Sequence, residues 1–181
     1  SGTKAGVVQV TATGVANGRT FQSKPVSVAI HGGLPDAAHF SIAPARYNFP
    51  GYHIFGLTDA VTAYVGDKWG NPVRPGTIVY FTTTGGIIEG SAQTNEIGQG
   101  TVNLISAAPL PADGFATVTA TTADENQNTL TKTLEILFSG APHLSMTPGN
   151  GAFSTTPWVQ NTTFTITMND ARGNPMSSGT T

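Results

Sequence analysis

The chain has 181 residues, of which only 10% are charged, with a net charge of −2 and no cysteine. These figures exclude a disulfide scaffold, a thiol nucleophile and thiolate metal sites, and eight Lys and Arg in total leave no basic stripe for nucleic acid or anionic lipid. No apolar run approaches the roughly 20 residues of a membrane span. The composition is still that of a folded protein, because 38% of residues are apolar and they alternate as strands do.

Taken in order, residues 1–35 hold two strand signals. The first is Val7 to Thr13, and the second runs from Phe21 to Ile30. Asn17-Gly18 between them is a tight-turn dipeptide, so the pair reads as an antiparallel hairpin. Gly32-Gly33-Leu34-Pro35 then reads as a linker. Over 36–142, strands are expected at His39 to Ala43, Ala60 to Val65, Ile78 to Thr83, Thr101 to Ser106, Phe115 to Thr121 and Thr131 to Phe138. Gly85-Gly86-Ile87-Ile88 adds a short edge piece, and Asn48-Phe49-Pro50-Gly51 reads as a turn. Short strands with turn signals every 8–12 residues or so predict an all-β, immunoglobulin-like β-sandwich. Within Ile78 to Thr83, Val79 and Phe81 are expected to point inward.

The series then repeats. His39 to Pro44 matches His143 to Pro148 at an offset of 104, and Val61 to Thr77 matches Phe164 to Thr180 at an offset of 103. Ala5 to Gly14 matches Asp113 to Thr122 at an offset of 108. The expected organisation is therefore tandem: the last strands of one repeat in 1–35, a complete domain in 36–142, and the first strands of a third in 143–181. The two end pieces together lack any equivalent of Ile78 to Ala112, so neither end completes the other into a full domain. The chain reads as a window on something longer, or as a unit whose ends are completed by neighbours.

The most strongly repeated stretch is Asp67 to Gly86. Asp67, Gly70, Asn71 and Pro72 recur as Asp170, Gly173, Asn174 and Pro175. Asn tolerates left-handed backbone, Pro presets φ, and the Asp carboxylate accepts backbone N–H groups, so these residues read as a structural turn. With Gly76-Thr77, Val79-Tyr80-Phe81, Gly85-Gly86, Gly98-Gln99-Gly100-Thr101-Val102 and Gly114 to Ala120, the stretch resembles the bacterial immunoglobulin-like group 1 (Big-1) repeats of intimin and invasin adhesins. The resemblance implies a rigid extracellular spacer on the bacterial cell surface, and it carries over no ligand-binding residue.

Other chemistry is sparse. His39 and His143 hold equivalent positions and read as structural, since zinc needs more convergent ligands. Asp124 to Asn128 is an oxygen-rich tip with weak potential for Ca²⁺, but it lacks the spacing of a calcium loop and reads as a solvated turn. Trp69, Trp158 and Arg74 are candidate interface residues, because loop aromatics and arginines anchor contacts. Asn161-Thr162-Thr163 fits a glycosylation acceptor. No nucleophile elbow, phosphate loop or assignable carboxylate pair is present, so the expected function is not enzymatic. Three readings follow: a structural spacer whose partners are neighbouring repeats, a self-assembling filament or sheath subunit completed by strand exchange, and a carbohydrate-binding module using Trp69 or Trp158.

Overall fold

The computed structural model describes residues 3–148 and 164–179. Its strands are β1 (Gly6–Val10), β2 (Thr13–Ala16), β3 (Arg19–Gln22), β4 (Val26–Ile30), β5 (Phe40–Pro44), β6 (Asn48–Phe49), β7 (Thr58–Val65), β8 (Ile78–Thr83), β9 (Ile87–Ile88), β10 (Ser91–Gln93), β11 (Gln99–Ile105), β12 (Phe115–Ala123), β13 (Thr129–Phe138), β14 (Pro142–Pro148) and β15 (Phe164–Asp170). The protein is all-β. Strands β5 to β13 form an immunoglobulin-like sandwich of two sheets, ordered β10-β8-β12-β13-β6 and β5-β7-β11-β9.

Strict alternation builds the core. Val61, Ala63 and Val65 of β7, Val102 and Leu104 of β11, Val79 and Phe81 of β8, and Ala116, Val118 and Ala120 of β12 are all buried. Ile78 and Tyr80 face outward, as the pattern requires. At one end the core closes on Phe49 and Phe138, whose rings meet edge to face with centroids 4.6 Å apart.

That aromatic pair also explains a departure from expectation. Asn48-Phe49, expected as part of a turn, is strand β6, paired in parallel with Leu137-Phe138. Burying the whole of Phe49 outweighs the turn chemistry, which starts only at Pro50. Ile87-Ile88 is an edge strand, but it pairs with β11 in the sheet opposite β8. Gly86 permits the crossing with φ +73°, and a Cβ there would meet Ile105 O at 2.6 Å. Strand β10 was not foreseen, because Ser91-Ala92-Gln93 carries little apolar signal. It forms by pairing with β8.

A carboxylate of β7 is buried against the sandwich core. Asp59 on β7 is 1% exposed and meets Arg46 Nε at 3.3 Å. Burial pushes its carboxyl above the ordinary value, although Arg46 pulls the other way.

The flanking segments are hairpins. β1 pairs with β4 and β2 with β3 around Asn17-Gly18, both at positive φ as a type I′ turn demands. The register slips by one residue between the two ladders, at Lys24-Pro25, where proline has no N–H to offer. β14 pairs with β15 in the same way that β5 pairs with β7.

Stability should follow burial. Phe138→Ala is expected to cost about 3–5 kcal/mol, whereas Phe21→Ala, 58% exposed on β3, should stay within about 0.5 kcal/mol. Urea midpoints of the two variants check this, and equal shifts would contradict the placement of the core.

Candidate functional site

The repeated turn lies where each flanking hairpin joins the sandwich. After β7 the chain enters Asp67 to Pro72, closed by Asp67 N–H donating to Asn71 O at 2.8 Å and Gly70 N–H to Asp67 O at 2.9 Å. After β15 the same bonds recur: Asp170 N–H to Asn174 O at 2.9 Å, and Gly173 N–H to Asp170 O at 3.0 Å. Gly70 and Gly173 take φ of +78° and +85°. Asp67 Oδ1 accepts the backbone N–H of Trp69 and of Asn71, both at 2.9 Å. Asp170 Oδ1 accepts those of Arg172 and Asn174 at the same distance. The turns are built alike because the residues that persist between the copies are the ones that make these bonds.

Each turn also reaches outside itself, which the sequence reading missed. Asp67 Oδ2 accepts the N–H of Gly33 in the linker after β4 at 2.9 Å. Asp170 Oδ2 accepts the N–H of Gly140, in the corresponding linker after β13, at 3.0 Å. Asn71 donates to Thr3 O at 2.8 Å and accepts Ala5 N–H at 3.1 Å, so it clasps the chain just before β1. Asn174 donates to Asp113 O, just before β12, at 2.9 Å. Ala5 and Asp113 are equivalent by the 108-residue offset. Each turn is thus a latch, holding the start and the exit of the strand pair that precedes it. Space reinforces the contact, since a Cβ at Gly32 would collide with Pro72 O.

The two latches sit at opposite ends of the sandwich. The antiparallel registers place the end of β7 and the β12–β13 hairpin tip at one end, and the start of β12 and the end of β13 at the other.

The carboxylates are nearly sealed, with Asp67 3% and Asp170 2% exposed. Burial alone raises the Asp67 carboxyl. Hydrogen bonds from Gly33, from Asn71 and from Trp69 outweigh it and lower the pKa from 3.8 to about 2. Burial opposes in the same way at Asp170, and the N–H groups of Asn174, Gly140 and Arg172 hold it below the ordinary value.

The variable positions distinguish the latches. Arg172 stacks its guanidinium 3.5 Å from the Tyr52 ring centroid and donates to Ala112 O at 3.1 Å. Trp69, its counterpart, is 58% exposed beside a cleft of about 330 Å³ that Lys4, His31, Asp36 and Glu125 also line. Lys68 lies 5.7 Å from the Trp69 ring and pairs with Glu125 at 3.8 Å. The Arg74 side chain is exposed, while its carbonyl anchors the next turn by accepting from Thr77 and Thr94 hydroxyls. Trp158 and the Asn161 acceptor lie outside the described residues.

The remaining polar candidates are engaged locally. Asp124 Oδ1 accepts the N–H groups of Asn126 and Asn128, and Oδ2 accepts the Asn128 side chain at 3.0 Å, the bond that does most to lower its pKa. His39 ends a 3-10 turn over Ala37–His39 and approaches Asp36 at 3.5 Å. His143 is exposed on β14 opposite Asn169. Among the described residues no group of three or more His, Asp or Glu converges.

The depressed pKa fixes the sign of a pH effect. An Asp whose folded pKa lies near 2 rather than 3.8 adds stability that is complete above about pH 4 and lost as pH falls through about 2. The amount is roughly 2 kcal/mol, at 1.36 kcal/mol per unit. Asp67→Asn should remove that acid-dependent component, measured as urea stability between pH 5 and 2. An unchanged profile would contradict the latch.

No family model matches the sequence, and no curated protein matches it either. Among solved structures, the D00-D0 domain of intimin is similar, with a TM-score of 0.42 and 21% identity over 72% of this chain and 64% of that one. A C-terminal 282-residue fragment of intimin, solved in complex with the intimin-binding domain of the translocated intimin receptor, is similar with a TM-score of 0.43 and 20% identity over 72% and 46%. The chain therefore spans less than two thirds of either intimin chain.

Proposed function

We propose that this chain is a structural segment of a bacterial cell-surface or extracellular protein built from immunoglobulin-like repeats. On this reading β1 to β4 close a preceding repeat, and β14 and β15 open a following one. The latch at Asp67 and at Asp170 locks each repeat to the one before it. The observation that carries the reading is that one set of bonds occurs twice, on sequences 103 residues apart and at opposite ends of one sandwich. The motif resemblance to Big-1 repeats supports the extracellular setting. The function is mechanical: a buried, multiply bonded carboxylate at each junction resists bending, so a string of sandwiches holds its far end away from the surface.

The test uses the absence of cysteine, which lets spin labels sit only where they are introduced. Labels at Thr20→Cys and Thr133→Cys, both exposed positions, should give one narrow distance distribution across the first junction. Asp67→Ala with Asn71→Ala leaves Gly33, Trp69 and Ala5 N–H groups without acceptors, at roughly 1–3 kcal/mol each when buried, and should broaden that distribution. A broad distribution before substitution would overturn the rigid-spacer reading. The cellular setting is tested by antibody labelling of intact cells that make the protein. Labelling that appears only after lysis would place it elsewhere.

A further inference from the structure

Tension carried along the chain enters the sandwich through the linker at Pro35 and leaves it after Phe138, through Ser139 and Gly140. These two points lie at opposite ends. β5 starts opposite the last residue of β7 and runs to Pro44, opposite Val61, while β13 ends at Phe138, in parallel register with Phe49. Strands β5, β6 and β13 therefore all point the same way. A pull on the two linkers drives segment 40–49 in one direction and β13 in the other.

Segment 40–49 belongs to both sheets. β5 is laddered to β7 in the four-stranded sheet, and β6 to β13 in the five-stranded sheet. The second ladder is short but reinforced. Leu137 N–H donates to Tyr47 O at 2.9 Å, Ser139 N–H to Phe49 O at 3.0 Å, and Tyr52 N–H to Ser139 O at 3.2 Å. The Phe49 and Phe138 rings meet beneath it. Ladder hydrogen bonds run across the strands, so tension directed along the strands loads the bonds of both ladders at once. A ladder pulled open from one end loses its bonds singly.

Between the ladders the segment crosses from one sheet to the other, and there Arg46 is tied to β7 three times. Its backbone N–H donates to Asp59 Oδ2 at 3.4 Å, its Nε to Asp59 Oδ1 at 3.3 Å, and its Nη2 to Thr58 O at 2.6 Å. Ala45 N–H adds a bond to Ala60 O at 2.7 Å. A buried ion pair contributes little to equilibrium stability, because desolvation offsets much of the attraction. Position is what distinguishes this one. The crossover is where β5 would otherwise slip without β6.

We infer that segment 40–49 carries tensile load through the sandwich, and that the Arg46–Asp59 pair pins its crossover so that the two ladders yield together. Forced unfolding is governed by the unfolding barrier rather than by equilibrium stability, and a segment loaded this way raises that barrier for one direction of pull. The inference goes beyond the spacer reading, which concerns bending at the junctions, and it stands whether or not those junctions are rigid.

Single-molecule pulling on the 181-residue chain tests it, with handles on cysteines introduced in pairs, since the chain has none of its own. Leu34→Cys with Ala141→Cys, both exposed, directs tension along segment 40–49. Ile97→Cys with Asn126→Cys, also exposed, pulls on two turns at one end of the sandwich and peels the sheets apart without loading that segment. The unaltered sandwich should resist several-fold higher force along the first axis than along the second. Arg46→Met keeps an apolar stem and removes the guanidinium, and it should lower the ratio of the two forces. Asp59→Asn removes the pair from the other side and should do the same. Urea midpoints establish that each variant is folded, so either one suffices. Equal forces along the two axes in the unaltered chain would overturn the proposal. A ratio that neither substitution moves would overturn the pinning role of the pair. Both handles of the first axis lie in the linkers and leave the flanking hairpins unloaded, so the outcome is independent of the spin-label distances that test the spacer.

Discussion

Two carboxylates, Asp67 and Asp170, decide how the parts of this chain meet. Each is almost fully buried at a junction, and burial of an unpaired charge would be strongly unfavourable. The charge is tolerated because backbone N–H groups converge on it from two directions, its own turn and the linker glycine of the preceding strand pair. Hydrogen bonds to an ionised acceptor are about twice as strong as neutral ones. Local turn geometry and junction geometry therefore depend on the same atoms, and the junction cannot shift without exposing or orphaning the charge. Asp59 shows the opposite balance. It is equally buried but has one cationic partner and few N–H donors, so burial wins and its carboxyl moves up.

The side chains that vary between the two latches lie outside the bond network. Position 172 uses arginine to stack on Tyr52, whereas position 69 places an exposed tryptophan beside an open cleft. What is presented at each latch differs while its bonds stay the same: the constant residues make the hydrogen bonds, and the variable ones set the surface.

Much of the fold was legible because its determinants are local. The alternation in Thr58–Val65 and Ile78–Thr83 names the inward residues directly, and Asn17-Gly18 names its turn. What was not legible depends on partners distant in sequence. Strand β6 exists because Phe49 finds Phe138, and β10 exists because β8 offers an edge; neither leaves a mark in its own few residues. The turn Asp67 to Pro72 was readable as a turn, yet its grip on Gly33, Thr3 and Ala5 was not, because those contacts span 34 to 68 residues. One signal was available. A linker glycine stands before both His39 and His143, and a glycine kept in both copies of a linker implies a close backbone approach.

The most direct measurement is amide hydrogen exchange at Gly33 and Gly140. Both sit in linkers, where free amides exchange at nearly random-coil rates, and both donate to buried carboxylates in this structure. The two amides are expected to be protected by orders of magnitude relative to a free linker amide, and Asp67→Ala to abolish protection at Gly33 while leaving Gly140 untouched. Random-coil exchange at both glycines in the unaltered chain would contradict both latches.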